Sequence, residues 1–108
     1  EHLREALAGV LREHGYVVTV SESAEAGLEK LRTSHFALVL TDYQLPGHTG
    51  AWMLNEARAA GRLTDTAVLV ITANRSPVGT EGWRVLHKPI MYEDIMREVA
   101  LAMSGEPS

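Results

Sequence analysis

Three side chains in this sequence pair a reactive group with a position where chemistry gathers. Asp42 comes directly after the unbroken apolar run Phe36–Leu40 and Thr41, and before a tight loop carrying Pro46, Gly47 and Gly50. Thr72 ends the apolar run that starts at Ala67, and Lys88 follows the stretch Trp83–His87 and precedes Pro89. Unbroken apolar runs of this length suit strands buried on both faces, as in parallel sheets. In open parallel sheets, ligands and reactions collect at the carboxyl ends of the strands. If the strands are adjacent and parallel, a carboxylate, a hydroxyl and an ammonium point into one crevice. Singly, each has a plainer reading: a turn or capping aspartate, a strand-end threonine, a solvated lysine.

The elements that would position them follow from periodicity and punctuation. Leu3, Ala6, Leu7, Val10 and Leu11 fall at helical spacing over residues 1–14, and Gly15 stops that helix. Tyr16–Val20 is rich in β-branched and aromatic residues and reads as a strand. Ser21 and Ser23 are N-cap candidates for a helix over 24–33 that turns Leu28 and Leu31 inward. After the Asp42 strand and its loop, a helix over about 51–60 buries Met53, Leu54 and Ala57 and ends at Gly61. Residues 67–73 form the second apolar strand. Residues 74–82, NRSPVGTEG, have no helical period and read as a loop. A short strand over 83–87 and a helix from about Met91, burying Ile95, Met96, Val99 and Met103, complete the chain. Residues 104–108 read as a polar tail or linker. Such alternation implies an α/β fold, a doubly wound parallel sheet covered by helices on both faces.

Composition narrows the functional classes. The 108 residues, 45% of them hydrophobic, fit one domain with a single modest core. A net charge of −4 with scattered basic residues points away from nucleic acid. Without cysteine there are no disulfides or thiolate metal sites. The apolar runs are too short to span a membrane, so a soluble cytosolic domain is expected. The histidines at 2, 14, 35, 48 and 87 show no ligand spacing, although His48 lies in the Asp42 loop. No phosphate-cradling glycine loop follows any strand.

With the three residues in order, the chain resembles a response-regulator receiver domain of two-component signalling, a CheY-like, flavodoxin-like fold. Asp42-x-x-Leu45-Pro46-x-x-x-Gly50 is similar to the loop after that family's phosphoaccepting aspartate. Ile71-Thr72-Ala73 resembles its switch hydroxyl, and Lys88-Pro89 its lysine and following proline. The resemblance spans residues 1 to about 103. It implies that Asp42 accepts a phosphoryl group from a histidine kinase or phosphotransfer domain, with no other enzymatic activity than self-catalysed phosphotransfer and dephosphorylation. Lys88 would contact the phosphoryl group, an interaction of about 4 kcal/mol near 4 Å at an effective dielectric of 20. Thr72 would donate a hydrogen bond, Ala73 its backbone N–H, and Pro89 would follow a cis peptide shaping the site. Mg²⁺ would be held by the Asp42 carboxylate and the Gln44 backbone carbonyl, together with acidic residues that this chain lacks.

Two departures accompany the resemblance. Receivers open with a strand ending in two acids, and that strand, central in their order 2-1-3-4-5, has no counterpart here, leaving four strands. Five or so orphaned backbone groups at roughly 1 kcal/mol each would weigh heavily against a domain stability of about 5–15 kcal/mol. Three remedies present themselves: an upstream segment of the natural protein, closure of the gap by direct pairing of 16–20 with 36–41, or a strand lent by another chain, including a homodimer. Second, Thr72 and Lys88 stand close together in sequence, the fourth helix is lost between them, and Val85 occupies the position of an aromatic switch residue. A degenerate receiver acting only as a protein-interaction module is therefore the alternative function. A flavodoxin-like domain for a small ligand is a weaker third.

Overall fold

The computed structural model describes residues 2–104, with side chains from Arg4 onward. Residue 1, the Leu3 side chain and residues 105–108 of the expected tail lie outside the described residues. Helix α1 covers His2–Glu13, α2 Ala24–Thr33, α3 Gly50–Ala59 and α4 Tyr92–Ser104; strands β1, β2 and β3 cover Leu38–Asp42, Ala67–Thr72 and Arg84–His87. Ser104 is thus the last residue of α4 and not the first of a tail. Each boundary has a local cause. Gly15, at φ +93°, turns the chain out of α1 through a left-handed conformation that residues with a Cβ avoid. Ser23 caps α2 by accepting from the Ala26 N–H, and Thr49 caps α3 by accepting from the Trp52 N–H.

The three strands form one parallel sheet in the order β1-β2-β3. Leu40 stands opposite Leu69, Asp42 opposite Ile71, and Thr72 opposite His87. The pleat sends alternate residues to opposite faces. Leu69 and Ile71 pack with Leu86 against Leu7 and Leu11 of α1 and Ile95 and Val99 of α4. Val70 faces the other way, into Leu28 and Leu31 of α2 and Met53, Leu54 and Ala57 of α3. Helices cover both faces, as a doubly wound sheet requires. Among the described residues, no helix is long and apolar enough to cross a membrane.

The expected strand over 16–20 is not one. The segment is extended, but among the described residues it pairs with nothing, so the sheet has three strands and not four. Tyr16 and Val18 rest against the α1–α4 core, whereas Val17 is 100% exposed. Beta propensity and alternation are present; a hydrogen-bonded neighbour is not, and a strand needs one. Direct pairing of 16–20 with β1 does not occur either. A cavity of about 420 Å³ separates them, with α1 along its floor.

Candidate functional site

Asp42 and Lys88 meet at the carboxyl rim of the sheet. The Lys88 Nζ lies 3.0 Å from Asp42 Oδ2, and both side chains are about one-quarter to one-third exposed. Their backbones are held by neighbouring strands: Lys88 N donates to Thr72 O at 2.8 Å, and Tyr43 N donates to Ile71 O at 2.8 Å. Parallel pairing therefore brings together two residues 46 positions apart. A partly exposed ion pair of this kind adds little stability, typically up to about 1 kcal/mol. Its value is positional, since it fixes a carboxylate and a cation on one solvent-reachable spot.

The loop after Asp42 is tightly drawn. Gly50 N donates to Tyr43 O at 2.8 Å, and a Cβ at position 50 would collide with the Asp42 carbonyl oxygen. Glycine is required there by close approach of backbone to backbone. Gln44 is exposed, and its N–H points at Asp42 Oδ1 from 3.4 Å. Thr72 sits at the same rim, one residue past the level of Asp42. Its side chain is fully buried, and its hydroxyl accepts from Asn74 N at 2.9 Å, starting the turn into the following loop. Ala73 lines a shallow depression with Lys88, Pro89 and Ile90, and the Lys88–Pro89 peptide bond is cis. The structure thus joins Asp42 to Lys88 directly. It sets Ala73 and Pro89 beside Lys88, and it occupies Thr72 with Asn74.

Several contacts around the site carried no sequence signal. His48 stacks on Trp52, ring centroids 3.8 Å apart, and its Nε2 lies 3.6 Å from Glu25 Oε2 on α2. His48 and Trp52 are i and i+4, but α3 begins between them, so a helical repeat in the sequence does not link them. Residues 74–82 form a loop, as their composition requires, yet the loop is fastened. The Tyr43 hydroxyl donates to Val78 O at 2.9 Å, Asn55 Nδ2 to Gly79 O at 2.8 Å, and Arg58 lies 4.3 Å over the Trp83 ring. These ties fasten the loop to α3 and to the residue after β1.

A divalent ion does not fit the groups present. One oxygen of the Asp42 carboxylate already faces Lys88. Among the described residues no three acidic or histidine side chains cluster as ligands would. A hard cation needs several oxygen donors, and the pair supplies one carboxylate oxygen that does not face Lys88.

The parallel sheet thus carries a carboxylate and a lysine together at its carboxyl rim. Residues 1–100 match the response regulator receiver domain family, and the chain belongs to it. Two-component response regulator ORR11 of Oryza sativa subsp. indica is 27% identical over 103 residues, covering 87% of this chain and 69% of that protein. Transcriptional regulatory protein DltR of Streptococcus agalactiae is 34% identical over 107 residues, covering 92% of this chain but 46% of that protein, so this chain spans about half the length of DltR. Response regulator TrrA of Thermotoga maritima, solved in complex with Mg²⁺-BeF, superposes with a TM-score of 0.81 at 25% identity, covering 94% of this chain and 90% of that one.

Proposed function

We propose that this receiver domain accepts a phosphoryl group on Asp42 from the phosphohistidine of a histidine kinase or phosphotransfer domain. An Asp42 carboxylate oxygen attacks phosphorus; the P–N bond breaks, its electron pair stays on the imidazole nitrogen, and an acyl phosphate forms. Lys88 neutralises charge on the phosphoryl oxygens, and the Ala73 N–H donates a hydrogen bond to them. Thr72, whose hydroxyl accepts from Asn74 N, keeps its own O–H to donate to a phosphoryl oxygen. The modification adds about −1.5 to −2 charges at the rim and shifts a pre-existing conformational equilibrium. The observation that carries the reading is the 3.0 Å approach of Lys88 to Asp42. The setting proposed is cytoplasmic, and the domain has no further catalysis of its own.

The test is incubation of the folded chain with a small-molecule phosphodonor, with and without Mg²⁺, followed by intact-mass measurement. Wild type is expected to gain one phosphoryl group and Asp42→Asn none, with Lys88→Ala retaining at most about a tenth of the rate. A folded wild type that stays unlabelled in both buffers would favour the second reading, a phosphorylation-independent interaction module. That no three acidic or histidine side chains cluster among the described residues is the observation on that side.

A further inference from the structure

Residues 74–82 contain no helix, yet five successive carbonyls, from Pro77 to Glu81, each accept a hydrogen bond. Pro77 O takes the Thr80 hydroxyl at 2.9 Å, Val78 O the Tyr43 hydroxyl at 2.9 Å, and Gly79 O the Asn55 Nδ2 at 2.8 Å. Thr80 O accepts from Trp83 N at 2.9 Å, and Glu81 O from Arg58 Nη1 at 3.4 Å. Ahead of them, Ser76 N donates to Asn74 Oδ1, and Asn74 N to Thr72 Oγ1, both at 2.9 Å. Hydrogen bonds joined by short covalent steps thus run from α3 to the Thr72 hydroxyl. Their α3 end is Asn55 and Arg58, one helical turn apart. Arg58 lies over Trp83 and gives its Nη2 to Asn55 Oδ1, which leaves the Asn55 amide nitrogen to face Gly79.

The Thr72 hydroxyl is where this fastening meets the chemistry. With Oγ1 accepting from Asn74 N, the directions left for its proton are set by where Asn74 stands. Ala73 is the residue between the two, so the same placement sets its N–H. An unfastened surface loop of this length would move freely in solution. We propose, on the reading of Asp42 as phosphoacceptor, that Asn55 and Arg58 are positioning residues for phosphoryl transfer. By holding residues 79–83 against α3 they hold Asn74, and so aim the Thr72 O–H and the Ala73 N–H at the phosphoryl group. Neither touches the reacting atoms. Aim carries weight because this transfer depends on placed donors, and a misplacement of about 1 Å can cost about a hundredfold in rate. Arginine suits position 58 for a definite reason. Its planar fork serves Glu81 O and Asn55 Oδ1 together while its face covers Trp83, which a lysine ammonium cannot do.

The test labels wild type, Asn55→Asp, Arg58→Lys and Arg97→Met with acetyl phosphate over a range of concentrations. Asn55→Asp keeps the side-chain shape and the Arg58 contact but sets a carboxylate oxygen against the Gly79 carbonyl. Arg97 pairs with Asp94 of its own helix, and its variant is the control. Asn55→Asp and Arg58→Lys are each expected to lower the rate at saturating donor by about tenfold or more. The donor concentration for half-maximal rate should stay unchanged, and Arg97→Met should label as wild type does. Amides 74 and 76 should exchange with deuterium about tenfold faster in the two α3 variants, with those of β1 and β2 unaltered. A role confined to stability would instead lower Tm and speed exchange across the sheet in step with labelling, and that result would overturn the proposal. So would wild-type rates in both variants, unchanged exchange at 74 and 76, or a loss confined to the half-maximal concentration. A wild type that takes no label removes the phosphoryl-transfer reading and this proposal with it. A labelled wild type with unaffected variants removes this proposal alone.

Discussion

The two outer edges of the sheet are made of different material. β3 is four residues long and carries exposed Arg84 and His87 at its ends, and Arg84 is clamped to Glu98 of α4 by hydrogen bonds of 2.9 and 3.1 Å. Short length and charge are the ordinary protections of a strand that faces solvent. β1, Leu-Val-Leu-Thr-Asp, has no charge before its last residue and is only half-buried through Leu40. β2, of similar composition, is fully buried from Leu69 onward because it has neighbours on both sides. β1 thus has the composition of an interior strand in the position of an edge. Burial is a property of the neighbourhood, and here a neighbour is what β1 lacks.

The largest expected contrast lies between equivalent leucines in register. Leu69→Ala in β2 is expected to cost about 3–5 kcal/mol, the usual range for a fully packed site. Leu40→Ala, directly across in β1, should cost about half as much, since its side chain already meets solvent. Denaturant unfolding of both variants decides the matter, and equal losses would show the β1 edge to be closed. Next comes the end of β1. Gly50→Ala forces the Asp42 carbonyl to move and should lower stability by about 1–3 kcal/mol, with a matching drop in the rate of Asp42 labelling. Unchanged labelling would mean that the loop relaxes without disturbing the carboxylate.

The smallest effect belongs to the protected edge. The Arg84 hydrogen bond holds the Glu98 carboxyl below the usual glutamate range. A carboxylate depressed in the folded state stabilises the fold at pH values above its unfolded value. That stabilisation fades as the pH falls through the lower, folded value. Glu98→Gln should therefore cost under about 1 kcal/mol at neutral pH, given the exposure of Arg84, and nothing once the medium is more acidic than the folded carboxyl. A pH-independent loss would indicate packing instead of charge.

Much of this was legible in the chain alone. The helices announced themselves by apolar spacing and by Ser23 and Gly15, and the order of apolar runs gave a parallel sheet. Asp42 and Lys88 could be paired because strand ends in such sheets share a rim. Residues 16–20 misled for a definite reason: propensity describes what a backbone can do, and pairing depends on whether another backbone is there. Thr72 was placed at the right rim, but its short-range turn with Asn74 is a local bond that strand logic does not report. The ties of Tyr43, Asn55 and Arg58 to the 78–83 region were invisible because they join side chains to carbonyls far away in sequence.

One of those ties has a mechanical corollary. Tyr43 is bonded covalently to Asp42 and, through its hydroxyl, to the carbonyl of Val78, whose own side chain stands 79% exposed on a proline–glycine knuckle. A rigid ring thus spans the distance between the aspartate's backbone and a surface bump, so that any displacement at 42–43 must either carry the bump along or snap the tether.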